Sequence, residues 1–226
     1  MNKQSKKNFI IAGALFLVFV VWTILVSLVN VEMIGPDNSS VGFSNLNKAF
    51  FESTGGAINQ TLYGLTEIVG VLPILCAVAF VGVGVYQAIK RKSIKKVDGD
   101  ICAFGWLYVL VVIFYELFEV VVVNYRPVLI EGVLEASYPS SHTLLACTIL
   151  GTTILQIINR VNVKGLKILL ICLCVIVCAV IVVGRLLSGV HWLTDIVGGV
   201  LLSGALIYLY YGAISLAKEK GIIQSN

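Results

Sequence analysis

Six apolar runs dominate the sequence, and each can form a helix that crosses the hydrocarbon core of a bilayer, which is about 30 Å thick. Because a backbone in lipid must satisfy its own hydrogen bonds, such runs predict helices. We therefore predict an all-α, polytopic membrane protein with six transmembrane helices. The runs cover approximately residues 9–29, 62–88, 101–123, 144–158, 166–183 and 190–217, and the fourth can extend back to Ser141.

Composition agrees with this class, since 58% of the residues are hydrophobic and only 12% are charged. A soluble domain carries about 25% charged residues. The first run follows the basic leader MNKQSKKN, but it is too long for a signal peptide and lacks a small-residue cleavage site, which favours a retained span. We expect residues 1–226 to form one integral-membrane domain with a motif-bearing core at about 101–217.

The six cysteines all lie within the apolar runs or at their ends, and none shows the CxxC spacing of a redox or metal site. Thiols among Leu and Val behave as small hydrophobic groups. We therefore expect packing roles, without a disulfide, a metal or a cofactor.

The basic residues divide unevenly between the two sides of the predicted helices. Only Lys48, Arg126 and Arg185 fall on one side, and the positive-inside rule assigns the other side to the cytoplasm. We predict a multi-pass protein with both termini in the cytoplasm, so that the net charge of +4 reflects topology rather than nucleic-acid binding. The cytoplasmic set is Lys3, Lys6, Lys7, Lys90, Arg91, Lys92, Lys95, Lys96, Arg160, Lys164, Lys167, Lys218 and Lys220.

The longest segment on the predicted outer side, residues 30–61, is rich in Ser, Asn and Gly. It contains the pattern of a short amphipathic helix capped by Ser44. Phe43, Leu46 and Phe50 would share one face of this helix and lie in the membrane interface.

The outer ends of the later spans hold the polar groups that can do chemistry. Both histidines of the chain lie there, with His142 opening the fourth span and His191 the sixth. His191 and Asp195 are four residues apart, so one helix face can hold both, and a carboxylate can fix the tautomer of an imidazole. The other polar residues of this outer layer are Arg126, Ser140, Ser141 and Arg185.

These residue types favour anion binding combined with a histidine nucleophile. Arginine forks match phosphate oxygens, and the amides that open a helix attract anions. Each residue alone has another explanation: an interfacial Arg or His often anchors to headgroups, an Asp near a helix start often serves the helix dipole, and Pro-Ser-Ser often caps a helix. Those explanations do not account for both histidines lying in one layer with two of the three outer cations.

The motifs resemble those of the type 2 phosphatidic acid phosphatases, membrane lipid phosphatases related to vanadium haloperoxidases. The family patterns Lys-x6-Arg-Pro, Pro-Ser-Gly-His and Ser-Arg-x5-His-x3-Asp appear here in the same order. Their counterparts are Glu119-x6-Arg126-Pro127, Pro139-Ser140-Ser141-His142 and Gly184-Arg185-x5-His191-x3-Asp195.

The resemblance implies that His191 attacks phosphorus, that Asp195 orients it, and that His142 protonates the leaving alcohol. Arg126, Arg185, Ser140 and Ser141 would bind phosphate, and no metal is implied. The site would face the outside of a bacterial plasma membrane. Candidate substrates are undecaprenyl diphosphate, phosphatidylglycerophosphate and phosphatidate.

Three positions depart from the family pattern. Ser141 stands where the family has glycine, Gly184 where it has serine, and Glu119 where it has lysine. A free carboxylate would repel phosphate, so we expect Glu119 to support the site by pairing with Arg185 or Arg126.

Other functions remain open at this point. A phosphotransferase would pass the phosphoryl group to a hydroxyl other than water, and a catalytically weak homologue would bind or move lipid phosphates. A channel predicts charges along the membrane path rather than in one outer layer.

Overall fold

The computed structural model describes residues 1–221 and consists mainly of long helices. Six of them are long and apolar enough to cross a membrane, which confirms the predicted all-α architecture of a multi-pass membrane protein. The predicted domain of residues 1–226 includes 222–226, which lie outside the described residues. The helices are α1 (Lys3–Leu28), α2 (Ser44–Ser53), α3 (Gln60–Lys90), α4 (Gly99–Val120), α5 (Ser141–Arg160), α6 (Lys164–Leu187) and α7 (Leu193–Glu219).

The transmembrane helices pack around α5 and α7. The first helix, α1, runs along α7 and buries Phe19 and Val26, so the first apolar run is part of the bundle. The α5 helix packs against α6 and α7, and α3 covers both α5 and α6. Half of the most apolar stretch of α5 is buried, whereas the corresponding stretches of the other spans are less buried. The helix that opens with His142 therefore lies at the centre of the bundle.

The directions of the helices place their polar connections at two opposite ends of the bundle. The loop between α3 and α4, the end of α5 and the end of α7 meet at the basic end. The loop after α4, the start of α5, the end of α6 and the start of α7 meet at the opposite end. All the motif residues except Glu119, which lies in the last turn of α4, belong to the junctions at this second end.

The segment between α1 and α3 covers the second end. Two short strands, Glu32–Met33 and Ser40–Val41, pair in an antiparallel hairpin before α2. The amide of Asn47 on α2 donates to the Thr194 hydroxyl at 2.9 Å, and the Thr194 N–H donates back to the Asn47 side chain at 3.2 Å. This covering segment is therefore bonded to the first turn of α7.

The short helix α2 differs in detail from its prediction. Phe43, with a positive φ of 46°, occupies the N-cap position, and Ser44 is the first helical residue. The Ser44 hydroxyl donates instead to the Asn30 side chain at 2.9 Å. Phe43 stacks on Trp22 of α1, with ring centroids 5.4 Å apart, so it packs against the bundle rather than facing lipid with Leu46.

Candidate active site

Two connections, α4–α5 and α6–α7, bring the predicted site residues together. His142 lies in the first turn of α5, Arg185 in the last turn of α6, and His191 in the short connection to α7. Asp195 lies in the first turn of α7, and Arg126 follows α4. Residues that are distant in sequence thus meet at one end of the bundle, as the motif positions predicted.

Arg126 is held by a hairpin-like loop. Tyr125 bridges Ala136, and the Arg126 N–H donates to the Glu135 carbonyl at 3.0 Å. The side chains of Arg126 and Glu135 form an ion pair of 2.9 Å, and the guanidinium also approaches the Val190 carbonyl at 3.5 Å. Because this loop folds back on itself, the Arg126 side chain reaches Val190, the residue before His191.

His191 lies just before α7 rather than on it, because the helix begins at Leu193. Gly189 turns the chain there with a φ of 72°, and an added Cβ would lie 2.7 Å from the Ala57 carbonyl oxygen. The His191 side chain is almost fully buried, and neither ring nitrogen has a hydrogen-bond partner among the described residues. Burial, with Arg126 and Arg185 nearby, holds the pKa of His191 well below its ordinary value, so the imidazole is neutral.

Asp195 is completely buried and is held by hydrogen bonds from other groups. Its carboxylate accepts from the Asn124 amide at 3.1 Å and from the Trp192 N–H at 3.0 Å. One of its oxygens lies 3.7 Å from His191 Nδ1, which is longer than a hydrogen bond. The predicted pair is therefore adjacent, although His191 is not on the helix that carries Asp195.

The two serines before His142 have different positions. Ser140 is the N-cap of α5, and its buried hydroxyl accepts from the Thr143 N–H at 3.4 Å. The capping explanation thus holds for this hydroxyl. Ser141 lines a small cavity together with His191 and Glu119. Its amide lies in the first turn of α5, where helix N–H groups lack partners within the helix and attract anions.

Glu67, two turns into α3, joins two of the predicted site residues and was not predicted. Its carboxylate pairs with Arg185, whose side chain is fully buried. Its other oxygen lies 3.7 Å from His142 Nε2, and that nitrogen also contacts Arg185. The Tyr63 ring lies under the guanidinium, with its centroid 5.1 Å away. α3 therefore contributes directly to the site.

The predicted pairing of Glu119 is wrong. Arg185 pairs with Glu67 and Arg126 with Glu135, while Glu119 forms no ion pair within residues 1–221. Glu119 is exposed and lines the cavity that reaches His191. Glu119 lies in the last turn of α4, on the wall of the site, whereas Arg126 lies in the loop beyond that helix. Glu67 on α3 and Glu135 in the hairpin-like loop pair with the two arginines instead.

Close packing of α3 on α6 explains the glycine at position 184, which the sequence alone did not. A Cβ added to it would lie 2.4 Å from Cγ2 of Thr66, which is fully buried on α3. The absence of a side chain at this position therefore lets α3 approach α6 one residue before Glu67 meets Arg185.

Several polar atoms at the site are buried and have no hydrogen-bond partner among the described residues. They belong to Arg185 (Nε and Nη1), His191 (Nδ1 and Nε2) and His142 (Nδ1). Leaving a buried polar group unpaired costs about 1–3 kcal/mol, and more when it is charged. Such a group of converging nitrogen atoms is suited to accept an anion. Residues 1–221 contain no cluster of three or more His, Cys, Asp or Glu side chains arranged to hold a metal ion.

Comparison with known proteins assigns the family. Residues 75–218 match the sequence profile of the PAP2 superfamily. The chain belongs to the PAP2 superfamily. This match includes every motif residue described above and confirms the resemblance. No match is found among curated proteins.

A solved PAP2 structure has the same fold. The chain is similar to a transmembrane PAP2-type phosphatidylglycerolphosphate phosphatase from Bacillus subtilis, with a TM-score of 0.63 and 17% sequence identity. The alignment covers 96% of this chain and 99% of the other. Because the identity is low, the likeness establishes the fold alone.

Proposed function

We propose that this PAP2 protein is a lipid phosphatase that hydrolyses a lipid phosphate or diphosphate through a phosphohistidine intermediate. The main support is the meeting of a neutral, buried His191 with the unpartnered nitrogens of Arg185 and His142. A neutral imidazole is a nucleophile, and guanidinium groups stabilise the charge of a phosphoryl group in transfer. Membership of the family supports the same activity.

We assign the first step to Nε2 of His191. Since Nδ1 faces Asp195 at 3.7 Å, Nε2 is the nitrogen that attacks phosphorus. The P–N bond forms, the bond from phosphorus to the lipid oxygen breaks, and Nδ1–H of the resulting phosphoimidazolium points to the Asp195 carboxylate. Contacts of this kind are often long in a free enzyme and shorten when substrate binds.

His142 is the proposed acid and base. To act as the acid, His142 would be protonated on both nitrogens in the substrate complex, with Nε2–H on the Glu67 carboxylate in place of its contact with Arg185, and would give the Nδ1 proton to the lipid oxygen. It would then take a proton from the water that attacks the phosphohistidine, which releases inorganic phosphate and restores His191. Arg126, Arg185 and the amide of Ser141 would hold the phosphoryl oxygens.

The proposed substrate is a lipid, because the cavity at His191 is bordered by Phe114, Tyr115 and Phe118 of the transmembrane helix α4. The solved relative is described as a phosphatidylglycerolphosphate phosphatase, which makes that class of lipid the first to test. We further propose that the site faces the extracytoplasmic side of the membrane, because the basic residues gather at the other end of the bundle.

The test is phosphate release by purified protein from a panel of lipid phosphates, with soluble phosphate esters as the comparison. We expect release from at least one lipid, no loss with EDTA, and no activity in His191→Ala. Asp195→Asn and His142→Ala should each lose at least about 10²-fold, the lower range of acid–base assistance. Substantial activity in folded His191→Ala would contradict the mechanism. A phosphorylated acceptor alcohol in place of free phosphate would identify a phosphotransferase.

A further inference from the structure

The end of the bundle opposite the active site contains a large polar cavity that the proposed reaction does not use. Its volume is about 940 Å³, and it lies where α3, α5 and α7 end and α4 begins. The α5 helix runs from Ser141 at the active site to Arg160 at this cavity. A helix of 20 residues is about 30 Å long, so the two sites are at opposite surfaces of the membrane.

The cavity carries an excess of positive charge. Its two carboxylates already bind its two arginines: Arg91 Nη1 lies 2.6 Å from Asp98, and Arg160 Nη2 lies 2.6 Å from Asp100. Three lysines remain on its walls and form no ion pair within residues 1–221. They are Lys95, Lys96 and Lys218. This arrangement is complementary to an anion.

An apolar groove of about 310 Å³ adjoins the polar cavity between α3 and α4. Val97 lines both, so the groove begins where the polar cavity ends. Its walls include Phe80 and Phe104, and the space is open at Gly105, where an added Cβ meets nothing within 4 Å. The polar cavity thus continues into the apolar groove, which lies on the membrane-facing side of α3 and α4.

We propose that the cavity and the groove together bind one anionic phospholipid. The phosphate would lie near Lys95, Lys96 and Lys218, and one acyl chain would lie in the groove. Basic pockets between transmembrane helices on the cytoplasmic side are suited to anionic headgroups, and a groove in contact with hydrocarbon is suited to an acyl chain. This lipid is a bound ligand and not the substrate, since it lies at the other surface of the membrane.

A native cysteine can report on the groove. Cys102 is exposed and lines it, whereas Cys172 is exposed on α6 away from it. In neutral detergent, we expect phosphatidylglycerol to slow maleimide modification of Cys102 relative to Cys172, by about tenfold at roughly ten times its Kd. Phosphatidylcholine should not do so. Equal protection by both lipids would overturn the proposal, because no headgroup would then be recognised.

Variants separate the two parts of the site. Lys95→Gln with Lys96→Gln should abolish protection of Cys102, whereas Lys92→Gln with Lys164→Gln, an equal charge change outside the cavity, should retain it. We also expect phosphatidylglycerol to raise the Tm of the wild type, and Gly105→Leu, which fills the groove, should remove this rise. Gly82→Leu is its control, since that position is also unobstructed and does not line the groove.

The source of the phosphate is tested with glycerol phosphate. If this soluble ester raised Tm through the same lysines while phosphatidylglycerol left Cys102 unprotected, the ligand would be a soluble phosphate ester and the lipid proposal would be wrong. None of these measurements depends on turnover, so they stand or fail separately from the phosphatase assignment.

Discussion

At the scale of single residues, Glu67 changes the chemistry expected of the active site. The motif residues alone place two arginines near two histidines, a strongly positive arrangement. The Glu67 carboxylate compensates Arg185 and lies 3.7 Å from the His142 ring. One acidic residue outside the motifs therefore both holds the buried guanidinium and faces the proposed acid.

Glu67→Gln tests this double role. Removing the carboxylate leaves the fully buried Arg185 guanidinium without its partner, so we expect Tm to fall and kcat/KM to fall about tenfold, or roughly 1.4 kcal/mol. Inorganic phosphate should raise Tm more in this variant than in the wild type, because the anion can replace the lost carboxylate. Glu52→Gln, an exposed change on α2, is the charge control. Wild-type kinetics in Glu67→Gln would show that the pair has no part in the reaction.

For Glu119 we predict the opposite effect, a gain when the carboxylate is removed, because it pairs with no cation within residues 1–221. Its carboxylate lines the cavity at His191, where it opposes an incoming phosphate. At an exposed position this repulsion is about 1 kcal/mol, so Glu119→Gln should lower KM by up to about fivefold. Glu119→Lys, which restores the family residue, should lower it further.

The matched control for Glu119 is Glu116→Gln, an exposed change one turn earlier on α4 that does not line this cavity. It should leave KM unchanged. A slower Glu119→Lys variant, with Glu116→Gln unaffected, would restore the view that Glu119 supports an arginine.

The sequence predicted the motif residues but not the side chains that hold them. His142, Arg185 and Asp195 could be found because charged residues are rare in this chain. Asn124, which donates to Asp195, carries no charge and lies in no motif. Glu67 had a usable signal, since a carboxylate within an apolar span needs a partner, but its partner is 118 positions away and only the packing of α3 on α6 identifies it.

At the scale of helices, the contact between α3 and α6 depends on Gly184. Gly184→Ser would restore the family serine but would force its Cβ against Thr66 Cγ2. Overpacking of this kind costs about 1–3 kcal/mol, so we expect a lower Tm and lower activity. Thr66→Ala removes Cγ2 and leaves the Cβ of residue 66 at 4.0 Å from the added Cβ at 184. The double variant should therefore recover the Tm and the activity.

Thermal unfolding of the two single variants and the double variant measures this coupling. If Gly184→Ser alone were as stable and active as the wild type, α3 would have room to move, and the proposed constraint would be absent. Gly165→Ser on the same helix, where a Cβ meets nothing, is the control.

The helices themselves could be predicted from hydropathy, whereas several of their ends, among them the starts of α5 and α7, could not. Val190 and Trp192 extend the apolar run, but the turn at Gly189 and the extended backbone at Trp192 delay α7 until Leu193. Hydropathy measures the preference of a side chain for lipid or water, so it gives no information about this turn of the backbone. The prediction for α5 needed its extension to Ser141, where Ser140 supplies the cap.

At the scale of the whole molecule, the separation of charge predicts an orientation in the membrane. After replacing the exposed Cys102 and Cys172 by alanine, cysteine at Ser40 or Glu131 should react with an impermeant reagent outside intact cells. Cysteine at Ser93 should react only after permeabilisation. The reverse pattern would place the active site in the cytoplasm and the proposed phospholipid site outside.

The close approach of Thr66 to Gly184 also restricts the order in which such a sequence can change. This backbone accommodates either serine at 184 or threonine at 66, but not both at once. A lineage that moves between the family serine and this glycine must therefore pass through glycine at 184 before threonine appears at 66. Once threonine has filled the space, reversion at 184 is blocked until position 66 becomes smaller. A substitution within a motif is thereby entrenched by a residue that no motif contains.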